Sequence, residues 1–189
     1  MASPLTHAVV AMTAAAGFRI PASSFRYWLV GIACSEIPDL DAIGFWIGVP
    51  YGALLGHRGL THSILFALLL SWMVTRWADQ WGDLPHGRLW WYLFLATMSH
   101  GVLDALTDGG LGVAFFSPFD QTRYFFPFRP IQVSSMSLRD VWGPHGVSVL
   151  VNELVWVWIP CGLLAVVMRI GRAANRSIQR NNARRHFVG

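Results

Sequence analysis

LWWYLFLATMSHGVLDALT, residues 89–107, is apolar and close to the length of about 20 residues that a bilayer-crossing helix needs. Inside it His100 and Asp104 stand at i and i+4, so a helix puts both on one face. An imidazole and a carboxylate are costly in lipid without partners, and such groups usually mark function. Both are standard zinc ligands. The bland alternative is a His–Asp hydrogen-bonded pair that only pins two helices.

Working outward, further apolar runs occupy 5–18, 27–37, 42–56, 60–77 and 147–168. The runs at 60–77, 89–107 and 147–168 reach spanning length, whereas 5–18 and 27–37 are short. The run at 42–56 is rich in Gly, is broken by Pro50 and reads as a re-entrant or interfacial piece. Irregular backbone at membrane depth is tolerated only where protein buries it or a wet cavity faces it. Trp77, Trp81, Trp90 and Trp91 sit at segment ends, as an interfacial belt would. The chain is 54% hydrophobic and 13% charged, against about 25% charged in an ordinary soluble domain. The expected fold is therefore all-α: a polytopic membrane helical bundle with a metal site at one membrane face. Residues 1–168 form a single embedded domain, 108–146 an interfacial loop or lid, and 169–189 a basic C-terminal tail. Pro118, Pro127, Pro130 and Pro144 punctuate the lid, and its aromatic content argues against disorder.

The net charge of +4 is carried by 14 arginines with no lysine, and guanidinium groups suit headgroup phosphates. Cys34 and Cys161 lie apart in apolar stretches and form no disulfide framework. MASPLTHAVV lacks the positive n-region of a signal peptide and is read as mature sequence.

The other ionisable residues within apolar segments fall into groups. Asp39 and Asp41, in Pro38-Asp39-Leu40-Asp41, can reach one cation from a turn, or can merely cap a helix. His57 and His62, in HRGLTHS at 57–63, can converge on one ion across Gly59, and Thr61 is placed to cap the helix that follows. His7 opens the first run. If each apolar run crosses once and 42–56 does not, His7, Asp39, Asp41, His57, His62, His100 and Asp104 all arrive on one side. Scattered structural polar residues would not sort that way.

Thr6-His7, the Pro-Asp-Leu-Asp at 38–41, HRGLTHS at 57–63, SHGVLDALT at 99–107 and Ser117-Pro118-Phe119 resemble the YdjM-like family over roughly residues 5 to 130. Its members are inner-membrane proteins described as metal-dependent hydrolases, some under LexA control. More distantly, that family is grouped with zinc-dependent phospholipases C and single-strand-specific nucleases, all-α enzymes with clustered zinc ions. The resemblance implies a related helical fold. His100 and Asp104 match the His-x3-Asp ligand pair of those enzymes, while His7, one of Asp39 and Asp41, and His62 match other ligands. Where the soluble enzymes supply a further His-x3-Glu pair, this chain has His145 followed by Val149, with Glu153 eight residues on. One or two divalent ions, zinc by preference, are therefore expected rather than three.

Together these readings imply a membrane-bound hydrolase that attacks a phosphoester, such as one in a membrane lipid, with metal-activated water. The expected ligands are His7, Asp39, Asp41, His57, His62, His100 and Asp104. Arg58 is the expected phosphate contact, with Arg123 and Arg129 behind it, and the free member of the Asp pair or Glu36 the base. No nucleic acid partner is expected. The rival readings are a metal-ion or proton transporter, with Glu153 as the one mid-helix acid, and a non-catalytic protein with a metal-pinned core. The positive-inside rule puts the site on the periplasmic or outer face of a multi-pass inner-membrane protein, and the tail in the cytoplasm.

Overall fold

The computed structural model describes residues 1–134 and 143–186. For Ser177, Ile178 and residues 180–186 it describes the backbone alone. Residues 135–142 of the expected lid, Arg139 among them, and residues 187–189 of the tail lie outside the described residues. The fold is all-α, and among the described residues the only β-type pairings are two isolated bridges, Thr107 with Ile131 and Val113 with Tyr124.

Four helices form the body. Helix α1 (Pro4–Gly17) starts with Pro4 in its first turn, where a missing N–H costs nothing. Helix α2 is Phe25–Glu36. Pro38 follows at once, and although Ile37 keeps α-region angles the chain tightens from there into a 3-10 segment, Ile37–Ile47. Helix α3 is Ile64–Ala78 and α4 is His86–Ala105. Short connections make neighbours antiparallel, and α1, α2 and α4 pack on one another with α3 against α4. Ala11, Ala15, Cys34, Ala78, Ala96, Leu89, Leu93, Tyr27 and Tyr92 fill the centre. The approach is close enough that a β-carbon on Gly31 would sit 1.8 Å from the Tyr92 hydroxyl.

The last helix is nearly continuous. Helix α5 (Pro144–Glu153) runs through a π turn, Leu154–Trp158, into α6 (Ile159–His186). Pro160 lacks an N–H and crowds the carbonyl four residues back, so the widened turn just before it relieves the ladder. α6 runs parallel to α1. Trp158 Nε1–H donates to Thr6 Oγ1 at 2.7 Å near the start of α1, and Arg172 donates to the Ala16 and Gly17 carbonyls at its end.

Two expectations change. Pro144–Arg176 is, among the described residues, the one helix long and apolar enough by composition to cross a bilayer. α3 is shorter than the 60–77 run because residues 57–63 fold into loop and a 3-10 turn, and Ser63, rather than Thr61, caps the helix by accepting from Phe66 N–H at 3.1 Å. α4 has the length but carries His86, Arg88, His100 and Asp104. The expected tail is the continuation of α6 as far as His186, not a separate element.

Candidate metal centre

Every expected ligand lies at one end of the bundle. α1 begins there with His7, α2 ends there and leads into Asp39 and Asp41, His57 and His62 precede α3, and α4 ends there with His100 and Asp104. Asp39, His62, His100 and Asp104 each offer one donor atom, and the four atoms lie within 4.8 Å of one another. His100 Nε2 is 3.2 Å from Asp39 Oδ1, and His62 Nε2 is 3.6 Å from both Asp39 Oδ1 and Asp104 Oδ2. Four donors around a tetrahedral zinc at about 2.0–2.1 Å stand roughly 3.3 Å apart, so the spacing fits.

Hydrogen bonding fixes which face each ring presents. His100 Nδ1 is 2.6 Å from the Ser35 carbonyl. A carbonyl only accepts, so Nδ1 carries the proton and the Nε2 of a neutral ring is a bare lone pair. His62 Nδ1 faces Asp41 Oδ2 at 3.2 Å and Thr61 Oγ1 at 3.1 Å. Thr61 gives its own hydroxyl proton to Asp41 Oδ2, so His62 Nδ1 is again the donor. Both rings thus turn Nε2 toward carboxylate oxygens. His62 Nε2, His100 Nε2, Asp104 Oδ2 and both Asp39 oxygens are buried without a hydrogen-bond partner. Lone pairs facing lone pairs at this distance call for positive charge between them. It is supplied either by a proton on His62, whose pKa Asp104, Asp39 and Asp41 raise to about 10 against the effect of burial, or by a metal ion. Imidazoles held through the other ring nitrogen are how metal-binding histidines are usually oriented.

The remaining expected residues take other places. Asp41 accepts from His57 Nδ1 at 2.7 Å, from Arg58 N–H at 3.1 Å and from Thr61, besides facing His62. Asp41, His57 and His62 are also close enough to hold an ion of their own. A neutral His62 has one lone pair, however, and it is turned to the first set, so Asp41 and His57 serve as supports. His7 is fully buried and stacks on His100 at 3.8 Å between ring centres, with both nitrogens unpartnered and outside the set of four. Glu36 is half-buried with Oε1 unpartnered.

Arg58 is a correction. It was expected to bind a substrate phosphate, but it is fully buried and committed to the protein. Nε stands 2.9 Å from Asp104 Oδ2, an ion pair whose N–H is not aimed at the oxygen, and the two terminal nitrogens donate to the Gly109 carbonyl and Thr107 Oγ1. Its φ of 62° is left-handed, which places its backbone N–H on Asp41 and its guanidinium under Asp104. Arg123 is likewise occupied, donating to the carbonyls of His57, Gly112, Tyr51 and Ala53 and so holding the Gly-rich loop. Arg129 remains exposed, stacked on Phe125. His145 is exposed, and Glu153 is buried and accepts from the Ser3 N–H and hydroxyl, so α5 brings no ligand pair to the set. Ser35, Ser3 and Thr107 hold the site and carried no signal in the sequence.

Burial raises both aspartates of the 3-10 segment, but their partners outweigh it. The His100 and His62 imidazoles hold Asp39 well below the usual carboxylate range, and His57, His62 and Thr61 lower Asp41 to about 2. Of the four donor side chains Asp39 alone has any exposure, 11% against 0% for the others, although both its oxygens are buried. The set is therefore least covered on the Asp39 side. Leu40, Ile43, Trp46 and Ile47 of the same 3-10 segment, with Leu111, Phe116 and Phe119 of the loop, are exposed around this end of the bundle.

The sequence model described as YdjM inner membrane protein matches residues 1–176 of this chain. Inner membrane protein YbcI of Escherichia coli (strain K12) is 35% identical to it over 164 residues, which cover 87% of this chain and 95% of that protein. No solved structure matches.

Proposed function

The chain belongs to the YdjM inner membrane protein family, and on that premise we propose that it is a metal-dependent hydrolase of a phosphoester carried by a membrane lipid. One observation supports this above all: four buried donor atoms on Asp39, His62, His100 and Asp104 face one another with no hydrogen-bond partner, and the least covered of them, Asp39, belongs to a segment whose neighbouring apolar side chains are exposed. Those four would hold one divalent ion, zinc by the mixed imidazole and carboxylate set. A bound ion of this kind lowers the pKa of its water toward about 7 and polarises a phosphoryl oxygen.

The chain's own groups divide the remaining work. Asp41 orients His62 and His57, Arg58 holds Asp104 in place, and Glu36, beside Asp39, is the carboxylate able to take a proton from water. The rim of Trp46, Ile47 and Phe119 is suited to sit at the headgroup level, where a lipid reaches the site sideways. The apolar outer faces of α1 to α4, with Leu5, Leu29, Trp72, Met73 and Leu95 exposed, fit lipid contact and a multi-pass arrangement. α1 to α3 are short, at about 1.5 Å per residue, against a core of about 30 Å. The membrane is taken to thin around the bundle or to be met by its 3-10 ends. The site is placed on the outer face and the end of α6 in the cytoplasm.

The test is metal analysis of purified protein together with release of a phosphorylated headgroup or diglyceride from phospholipid, with and without chelator. Chelator-sensitive release that Asp104→Ala abolishes supports the reading. Metal at about one ion per chain with no release from any phospholipid would leave a metal-pinned structural protein. The transporter reading loses its one mid-helix acid, because Glu153 is tied to Ser3. Metal flux into proteoliposomes would restore it.

A further inference from the structure

We propose that a second, separate site at the opposite end of the bundle binds the phosphate of an anionic phospholipid. A cavity of about 470 Å³ lies between the end of α1 and the outer part of α6, lined by Arg19, Arg172 and Arg176 with Asn175 and Gln179. Among the described residues no carboxylate lines it. Three guanidinium groups around one cavity repel one another unless an anion joins them, and their planar forks match phosphate oxygens two at a time.

Two further observations point the same way. Arg172 is anchored, since it donates to the Ala16 and Gly17 carbonyls that end α1, so its charge is fixed at the cavity wall. Arg19 has φ 58°, just past the helix end, where a β-carbon is unfavourable and glycine is the usual occupant. An arginine in that conformation is uncommon, and its side chain lines the cavity.

The source of the phosphate follows from what adjoins the cavity. Arg172 and Arg176 close the stretch Pro144–Arg176, which is apolar enough to cross a bilayer. Val166, Val167 and Ile170, two to ten residues before these arginines on the same helix, are exposed on the part of its surface turned away from α1. Acyl chains along those residues would place a headgroup at the arginines, whereas a free phosphate has no use for the apolar face. Arg19 lies twelve residues beyond His7 along α1, roughly 18 Å at helical rise, so the cavity does not share the metal centre. Basic pockets between helices at the cytoplasmic surface are a known form of anionic-lipid recognition.

The experiment uses the full chain purified in neutral detergent, with short-chain phosphatidylglycerol, phosphatidylcholine and inorganic phosphate as separate probes and native mass spectrometry as readout. Phosphatidylglycerol should bind at least about 10-fold more tightly than phosphatidylcholine. Arg19→Gly with Arg176→Gln should weaken it by about 30-fold, with metal content and thermal midpoint unchanged. Arg19→Gly suits the left-handed position, and if the pair fails to fold Arg176→Gln alone should cost about 5-fold. Unchanged binding in a folded variant, or equal binding of the two lipids, overturns the site. Inorganic phosphate binding as tightly as phosphatidylglycerol overturns the lipid as its source.

Discussion

His100 Nδ1 lies 2.6 Å from the carbonyl oxygen of Ser35, one residue before the end of α2, and this contact decides what the other face of the ring can do. The proton sits on Nδ1, so Nε2 is free to bind a cation between itself and Asp39. The first expectation is a difference between two aspartates on the same short segment. Asp104→Ala and Asp39→Ala should each empty the site, because each removes an unpartnered donor oxygen. Asp41→Asn should weaken metal binding by about 10- to 100-fold, the range for groups that orient ligands. Metal content after dialysis against graded chelator measures both. Equal loss in Asp41→Asn and Asp39→Ala would make Asp41 a ligand.

Arg58 supplies the second expectation. Its guanidinium is the charge beside Asp104, and both are fully buried. Arg58→Met leaves a carboxylate without that partner, and breaking a buried pair costs about 3–5 kcal/mol. A bound cation compensates the same carboxylate. Chelation should therefore lower the thermal midpoint of Arg58→Met by more than it lowers that of the wild type. An equal shift in both would show that the ion does not contact Asp104.

Acid should release the metal through His62 rather than through Asp41. Asp41 has a folded pKa of about 2, below its unfolded value of about 3.9. Its contribution to stability is thus complete above that unfolded value and is lost only as the pH falls through about 2. His62 must be neutral to bind, and against the effect of burial Asp104, Asp39 and Asp41 raise its pKa in the metal-free protein to about 10, so the apparent metal affinity should fall by about tenfold for each pH unit below that value, as read by rapid desalting. Retention unchanged down to about pH 3 would remove the histidines from the ligand set.

Gly31 tests the packing that carries the site. A β-carbon there meets the Tyr92 ring, with Cζ 2.3 Å away as well as the hydroxyl. Gly31→Ala should cost about 1–3 kcal/mol, read as a lower thermal midpoint in detergent. Since α2 carries the Ser35 carbonyl and α4 carries His100, metal affinity should fall with it. A variant as stable as the wild type would mean that α2 and α4 do not pack this closely.

Much of this site was legible in the sequence because ligand spacing and crossing number are local properties. His100 and Asp104 share a face by the i, i+4 rule, and counting apolar runs brought His7, Asp39, His57 and His62 to the same end. The parts that were not legible depend on backbone geometry and on distant partners. Nothing in HRGLTHS announces that Arg58 adopts a left-handed φ and turns inward to Asp104, 46 residues away. Nothing marks the Ser35 carbonyl, since any residue has one. The helical tail could have been read, because Arg172, Arg176, Arg180 and Arg184 recur every four residues.

The last expectation concerns the side of the membrane on which the metal centre lies. Arg19, Arg26, Arg76, Arg88, Arg169, Arg172, Arg176, Arg180, Arg184 and Arg185 belong to the far end of the bundle or to α6, ten against Arg58, Arg123 and Arg129 toward the site, with Arg139 outside the described residues. The structure sharpens the contrast, because Arg58 is buried on Asp104 and Arg123 is engaged by four loop carbonyls. Neither is free to hold a segment in the cytoplasm. The far end keeps Arg19, Arg88 and Arg176 exposed. Positive charge near segment ends stays inside, so the far end should be cytoplasmic and the metal centre outside. In a chain with Cys34 and Cys161 replaced by Ala, a cysteine at exposed Thr122 should react with an impermeant reagent on intact cells. One at Gly87, where a β-carbon meets open space at the start of α4, should react only after lysis. The reverse pattern would put Asp39 and the metal centre in the cytoplasm. The lipid substrate would then have to come from the inner leaflet, and the arginine cavity would take its anionic phospholipid from the outer one.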